Sequence, residues 1–261
     1  MMKRIIVFFA ALAAALPTPG TDASVAMRPV PAERFVMARI QTHDAVFLGT
    51  RHRRPKLLQF LGNLLTRASR EGLTHVGLEI ASDQQTRLDR FMAGTDGPEQ
   101  IRIDSNIDCD AYRQFLVQIR ACGLKAMALD LPRGNWSSAI TRDQWMARQI
   151  ADTFSGNPGA RFLVVVGNLH ALKRIQWLAP NLPAGGIRHT LSRLRPDLRL
   201  FSVAQSIDEL PGRCPYADRF GRTPAPVAII TTPLSPPPGF LRLAAAMPMT
   251  GYEAVDAVIV Y

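Results

Sequence analysis

The chain has 261 residues, a formal net charge of +10 and 47% hydrophobic residues. This length and apolar content allow one sizeable domain with a buried core. Cys109, Cys122 and Cys214 are too few for a disulfide framework, and they lack the short paired spacing of a metal-thiolate site. The positive charge comes mostly from arginine. No basic run interleaved with aromatic residues accompanies it, so we expect no nucleic-acid partner.

The first residues predict an export signal. A positive start precedes an apolar run that is too short to span a bilayer comfortably. Ser24 and Ala26 are small residues at the spacing that a signal peptidase requires. We therefore expect residues 1–26 to be a cleaved signal peptide and residues 27–261 to be the mature domain. That domain would be periplasmic or secreted, and no transmembrane segment would remain after cleavage.

The mature chain then alternates short apolar runs with segments of helical periodicity. An apolar run predicts a strand over residues 45–48, and Pro55 is well placed to begin a helix whose leucines recur at helical spacing until Gly72. A second strand is predicted over residues 74–80. Short connections between such elements are typical of a parallel sheet wrapped by helices.

The middle of the chain continues this alternation. Ser82 or Asp83 can cap a second helix, and the turn-rich residues 94–106 are interpreted as a lid or insertion. Asp108 or Asp110 can cap a third helix that ends before a strand. The strand covers residues 124–131. The apolar stripe of this third helix contains Tyr112, Phe115, Leu116, Ile119 and Cys122, and we interpret Cys122 as a core residue.

A capping box and a long apolar run mark the next helix and strand. Thr141 with Gln144 three residues later predicts a helix start, and residues 162–166 predict a strand that is buried on both faces. Three further strands are predicted in a less regular C-terminal third, over residues 198–206, 227–231 and 255–261. The fold class is therefore a single-domain α/β fold with a mostly parallel central sheet wrapped by helices.

Polar residues follow three of these strands where each strand ends. Gly49 and Gly167 close apolar runs, and His52 and His170 come three residues after them. Glu79 stands near the end of the second strand. Ligands of open α/β sheets bind beyond the carboxyl ends of the strands, so we expect His52, Glu79 and His170 to converge there.

The spacing alone is not diagnostic, because glycine also stands three residues before His75 and His189. Neither of these histidines follows a strand end, and His43 precedes the first strand. We assign all three a surface or structural role. The basic cluster of Arg51, Arg53, Arg54 and Lys56 lies beside the expected site and could attract an anionic substrate.

Several of these motifs together resemble a known superfamily. They are the paired G-x-x-H elements, the GLE that closes the second strand, and the helix of the form R-D-x-x-M-A that starts at Arg142. The superfamily joins Tiki proteases, TraB-type proteins, erythromycin esterases and ChaN-type haem-binding proteins. FLGTRH resembles the Tiki and TraB branches, the segment ending LDLPR resembles ChaN, and YEAVDAVIVY is similar to the last strand of erythromycin esterases. Thr50 stands where ChaN and esterase members often carry an acid, so a second carboxylate is absent there.

The resemblance implies a site made of His52, Glu79, His170 and Arg142. The two imidazoles and the carboxylate would leave open positions on a divalent ion such as Mn, Co, Fe or Zn. Without a metal, Glu79 or a histidine could act as general base on water. Arg142 could bind a substrate carboxylate or stabilise an oxyanion, and Asp130 and Arg133 lie near the same edge. Alternatively, Glu79 and Arg142 form only a buried ion pair, and His170 caps a helix.

Two functions of different class follow. The first is an exported hydrolase that splits an ester or peptide bond in a small-molecule or peptide substrate with activated water. The second is a haem-binding protein for iron uptake of the ChaN type, in which an exposed tyrosine supplies an axial oxygen. Tyr112 is the candidate for this ligand, although its place in the apolar stripe favours core packing. A third possibility is an exported domain whose site is degenerate.

Overall fold

An eight-stranded sheet lies at the centre of the computed structural model, which describes residues 28–136, 139–176, 185–206, 215–220, 223–233, 235–242 and 249–261. The predicted signal peptide and Cys214 lie outside these residues. The strands are β1 (Pro29–Pro31), β2 (Ala45–Thr50), β3 (His75–Ala81), β4 (Lys125–Asp130), β5 (Phe162–Gly167), β6 (Leu200–Ser206), β7 (Val227–Ile230) and β8 (Ala257–Val260). The helices are α1 (Ala32–Thr42), α2 (Pro55–Arg70), α3 (Gln85–Met92), α4 (Asp110–Ala121), α5 (Arg142–Gly156), α6 (Ile187–Leu194), α7 (Pro215–Phe220) and α8 (Gly251–Ala254).

The strand order is β1-β7-β8-β6-β2-β5-β3-β4. All pairs from β8 to β4 are parallel, whereas β7 runs antiparallel to β8 and β1 antiparallel to β7. The predicted mostly parallel α/β sheet is therefore confirmed. Because β2, β5 and β3 are adjacent and parallel, their carboxyl ends meet at one edge of the sheet.

The core occupies both faces of the sheet, and β2 shows how. Val46 and Leu48 pack on the face that carries α1, α2 and α4, while Ala45 and Phe47 pack on the face that carries α5 and α6. Successive side chains of a strand point to opposite faces, so a strand covered on both sides must be apolar throughout. In β2, polar side chains consequently begin only at Thr50, the last residue of the strand. Within the described ranges, no helix combines the length and apolar character needed to cross a bilayer.

Of the predicted helix caps, one is confirmed and two are wrong. The Thr141–Gln144 capping box at the start of α5 is present with both of its hydrogen bonds. The caps predicted at Ser82 or Asp83 are wrong, because residues 82–84 form a 3-10 turn and α3 begins only at Gln85. The caps predicted at Asp108 or Asp110 are also wrong.

At the start of α4, Asp108 pairs with Arg113 at 2.7 Å, Asp110 is already helical, and Cys109 occupies the cap position. Cys122 is half-buried at the helix end, where it contacts the hydroxyl of Thr66 and packs against the edge of the main core cluster. Cys109 and Cys122 are both free thiols.

Residues 94–106 do not form a detached lid. Ile101 and Ile103 are 1% and 8% exposed and belong to the main core cluster. The backbone N–H of Arg102 also donates to the side chain of Gln84 at 3.1 Å. This segment is therefore anchored against the sheet and its helices, and its polar residues stand beside the ends of β3 and β4.

The outer edge of β4 is covered by one side chain. The amide of Gln85 donates to the carbonyl of Ala126 at 3.1 Å and accepts from the N–H of Ala128 at 2.7 Å. It therefore reproduces two of the hydrogen bonds that a further strand would make. An edge strand with unpaired backbone groups is a site for unwanted pairing between chains, and Gln85 removes that opportunity.

We expect Gln85→Ala to lower the free energy of unfolding by about 1 to 2 kcal/mol, because two backbone groups of β4 lose their partner. The measurement is urea unfolding, with light scattering to detect association through the exposed edge. Gln59→Ala, on the exposed side of α2, serves as the matched control and should change stability by less than about 0.5 kcal/mol. Equal effects of the two substitutions would contradict the role assigned to Gln85.

Candidate active site

Side chains from three neighbouring strands meet at the carboxyl edge of the sheet. Glu79 of β3 lies between two imidazoles, with its Oε2 4.0 Å from Nε2 of His52 and its Oε1 3.6 Å from Nε2 of His170. His52 follows the end of β2, and His170 follows the end of β5. The structure thus brings together the three residues that the strand-end pattern selected.

Glu79 is the most buried charged group of this cluster, with 4% of its side chain exposed. Its Oε1 accepts from Nη2 of Arg142 at 2.7 Å, and its Oε2 accepts from the backbone N–H of Gly167 at 2.7 Å. Burial alone would raise the pKa of Glu79. The electrostatic interactions with His170, His52 and Arg142 and the Gly167 hydrogen bond outweigh burial and hold the pKa below its usual value. Glu79 is therefore ionised at neutral pH.

Arg142 links this carboxylate to the end of β4. The capping box at Thr141 places Arg142 in the first turn of α5, where its Nε and Nη2 donate to the two oxygens of Asp130 at 2.8 and 2.7 Å. Burial alone would lower the pKa of Arg142, but Asp130 and Glu79 raise it further above its usual value. The ion pair between Glu79 and Arg142, left open by the sequence, is present. It ties α5 to two strands.

Sequence reasoning missed Asp143. Its Oδ1 lies 2.5 Å from Nδ1 of His170, which turns the other ring nitrogen towards Glu79. Burial alone would lower the pKa of His170, but the hydrogen bond and charge of Asp143, together with Glu79, raise it above the usual value. The sequence did contain a sign of this role, because Asp143 directly follows Arg142 at the start of α5. Adjacent residues in a first helical turn can contact two different groups of one site.

The two strand-end glycines are required by close approach. A Cβ at Gly167 would stand 3.2 Å from the His52 ring and 3.5 Å from Oε2 of Glu79. A Cβ at Gly49 would stand 2.4 Å from the side-chain oxygen of Asn168 and 2.9 Å from its Cα. A side chain at position 167 would push against the site residues, and one at position 49 would push against the segment that follows β5, which accounts for glycine at the end of both strands.

The remaining sequence candidates lie elsewhere or are committed to other contacts. Arg133 pairs with Asp104 and lies beside the site. His75 is 4% exposed and stacks on Phe162 at 4.8 Å, so it has a structural place in the core. His43 lies at the end of α1 and contacts the carbonyl of Arg39.

The structure does not support Tyr112 as a haem ligand. Only 4% of this residue is exposed, and it packs in the core with the other apolar residues of α4. Burial, reinforced by the negative charges of Glu79 and Asp130, raises the pKa of its phenol far above the usual value. An axial ligand must be exposed to a cofactor, so the core-packing interpretation of Tyr112 is the one that the structure supports.

The residues present do not fit a bound divalent ion in this arrangement. No group of three or more His, Cys, Asp and Glu side chains in the described part of the chain is arranged to hold a metal. Both oxygens of Glu79 are engaged by Arg142 and Gly167, and the guanidinium places a positive charge where a cation would bind. No metal site is therefore seen at His52, Glu79 and His170 in this arrangement.

Comparisons with known proteins define the fold. No family model and no curated protein matches the chain. Among solved structures, an erythromycin esterase (EreC) mutant in its open conformation is 12% identical with a TM-score of 0.64, over 90% of this chain and 97% of that chain. A succinoglycan biosynthesis protein is 10% identical with a TM-score of 0.60, over 90% and 94%. ChaN of Campylobacter jejuni, described with cofacial haem binding, is 14% identical with a TM-score of 0.50, over 87% and 91%. The chain shares the fold of these proteins, as the sequence motifs predicted.

We expect Gly167→Ala to displace the His52 ring while leaving the protein folded, because His52 is partly exposed and can rotate away from the new Cβ. The imidazole resonances of His52 and His170 in NMR spectra should shift, with a melting temperature within about 4 °C of the parent protein. Gly156→Ala is the matched control, because a Cβ there meets nothing within 4 Å. Unchanged histidine resonances in Gly167→Ala would contradict the close approach.

Proposed function

We propose that this protein is an exported hydrolase that splits an ester or peptide bond with water activated at His52, beside Glu79 and His170. The observation that carries the proposal is one buried, ionised carboxylate flanked by two imidazoles, at the edge of a parallel sheet where ligands bind. Export rests on the signal-like pattern of residues 1–26. The erythromycin esterase among the fold neighbours supports ester hydrolysis as the reaction class.

His52 is assigned the role of general base. Its side chain is 36% exposed, so water and substrate can reach it, whereas Glu79 is 4% exposed. Glu79 is also a poor base, because both of its oxygens already accept hydrogen bonds and its pKa is lowered. The ionised Glu79 instead stabilises the imidazolium that forms when His52 takes a proton.

His170 is assigned the role of general acid. Its raised pKa keeps it protonated at higher pH than an ordinary histidine, and Asp143 fixes the orientation of its ring. Nε2, the nitrogen that does not contact Asp143, faces the site. A protonated His170 can donate to a leaving oxygen or nitrogen and also places positive charge near a developing oxyanion.

His52 and His170 account for both proton transfers of the proposed reaction. Water gives one proton to His52 while its oxygen bonds to the substrate carbonyl carbon. The bond to the leaving oxygen or nitrogen then breaks as that atom receives a proton from His170. The products are a carboxylic acid and an alcohol or amine, and proton exchange with solvent restores both histidines.

The ChaN-type haem alternative has the fold similarity as its support. Its candidate ligand, Tyr112, is buried in α4, and no other contact in the described residues favours it. Hydrolysis is therefore the function that the geometry supports best.

We expect His52→Ala and His170→Ala each to lower kcat/KM for 4-nitrophenyl acetate by at least about 100-fold, the usual contribution of a positioned acid or base. Glu79→Gln should lower it as well, because the His52 imidazolium loses its counter-charge. The double variant His52→Ala/His170→Ala should be little worse than either single one, because groups that act together are not additive. His189→Ala, on α6 outside the site, is the control and should retain activity. His75→Ala would be a poor control, since it would empty a core position.

Circular dichroism and melting curves accompany these assays. Full activity in the His52 and His170 variants would contradict the proposed roles. So would a loss of activity that simply follows unfolding.

The pH profile of hydrolysis tests the acid role separately. Activity should fall on the alkaline side as His170 loses its proton, and Asp143 raises the pKa at which this happens. Asp143→Asn should therefore move the alkaline limb of kcat/KM to lower pH. Asp152→Asn, exposed on the same helix, is the control and should leave the limb in place. A lower melting temperature with an unmoved limb would assign Asp143 a purely structural role.

A further inference from the structure

A cavity of about 490 Å³ lies beside the candidate site. Its walls come from the ends of β3 and β4 and from the anchored segment 94–106. Glu79 and Asp130 line its inner end, and Trp136 lines another part of its wall. This volume lies within the range of small-molecule sites. A ligand held in the cavity would therefore have one end beside Glu79, the carboxylate that lies between the two histidines.

The charged side chains in the cavity wall are engaged in ion pairs with one another or with Arg142. Arg102 pairs with Asp83 at 3.0 Å, and Arg133 pairs with Asp104. At the inner end, Glu79 and Asp130 share Arg142. The four lining carboxylates thus meet three guanidiniums, so the cavity is close to neutral although the chain as a whole carries +10.

This balance restricts the ligand. A phosphate, a carboxylate-rich molecule or a haem with its two propionates needs guanidiniums that are not already paired, and each one here has a carboxylate partner. A purely apolar ligand would remove these ion pairs from water and return no hydrogen bonds. The wall suits an uncharged ligand with many hydroxyl groups, because ion-paired carboxylates and guanidiniums still present acceptors and donors side by side.

Trp136 adds an apolar surface to this polar wall. It is 51% exposed, although large apolar side chains usually bury more of their surface. Its Nε1 donates to the carbonyl of Leu131 at 3.1 Å, and the guanidinium carbons of Arg133 and Arg142 lie over the ring, 5.6 and 5.5 Å from its centroid. The indole is thus held in place with about half of its surface available. An aromatic ring in such a position can stack on the apolar C–H face of a sugar ring.

We propose that this cavity binds an uncharged sugar ring stacked on Trp136, with its hydroxyls hydrogen-bonded to the paired Asp and Arg side chains. The substrate class is therefore an acylated carbohydrate, whose ester is hydrolysed at the Glu79 end to release a carboxylic acid and a free sugar hydroxyl. The assignment of the substrate rests on the proposed hydrolase function, whereas binding of the sugar does not.

The test is calorimetric titration of the full chain with a matched set of probes. The neutral probes are cellobiose and N,N′-diacetylchitobiose, and the charged ones are chitobiose, digalacturonate and hemin. We expect a neutral disaccharide to bind with a Kd at least about tenfold lower than that of each charged probe. Trp136→Ala should raise that Kd at least about tenfold, as for a central aromatic contact. Trp136→Phe should restore part of the affinity.

Tyr252→Ala is the matched control, because Tyr252 is also exposed, at 47%, but does not line the cavity. This variant should bind the neutral disaccharide like the parent chain. Tighter binding of any charged probe, an unchanged Kd in Trp136→Ala, or no neutral disaccharide with a Kd below about 10 mM would overturn the proposal.

The two proposals fail separately. Hydrolysis of 4-nitrophenyl acetate without disaccharide binding would refute the sugar site and leave the hydrolase standing. Binding that depends on Trp136, in a protein that hydrolyses no ester, would keep the sugar site and refute the hydrolase and the acylated substrate.

Discussion

The buried carboxylate of Glu79 is the constraint on which the rest of the site depends. An ionised carboxylate away from water is costly unless charges and hydrogen-bond donors surround it. Arg142 and the Gly167 N–H supply the donors, and both histidines lie within 4.0 Å. Satisfying Glu79 therefore brings the first turn of α5 against β3 and holds it next to the end of β5. The same contacts that make the charge tolerable also assemble the groups proposed for catalysis.

The strand ends were predictable from the sequence because they depend only on neighbouring residues in the chain. A strand covered on both faces must be apolar, so the first polar residues after Phe47 or Val165 mark the edge of the sheet. The clash that a Cβ at Gly167 would cause with His52 then explains the glycine. The caps at Ser82 and Asp108 failed for the opposite reason. A side chain that can cap a helix can also be used elsewhere, and Asp108 pairs with Arg113 instead.

The cavity could not be predicted from the sequence, because its ion pairs join segments that are far apart along the chain. Asp104 meets Arg133 across 29 positions, and Asp83 meets Arg102 across 19. Neither spacing corresponds to a helix turn or a strand repeat, so no periodicity marks them. The composition even suggests a ligand of different charge. A net charge of +10 suggests an anionic ligand, whereas the guanidiniums of Arg102 and Arg133 in the cavity wall are paired with carboxylates.

The opposite pKa shifts of Glu79 and His170 define the pH window in which this site is stable. The pKa of Glu79 is lowered, so its contribution to stability is complete above the pKa of the unfolded chain and is lost as the pH falls through the folded value. The pKa of His170 is raised, so its contribution is complete below the unfolded value and is lost as the pH rises through the folded one. Between these limits Glu79 is ionised and His170 is protonated. These are also the two protonation states that the proposed hydrolysis requires, so the electrostatic interactions that stabilise this edge of the sheet keep both groups ready for the reaction.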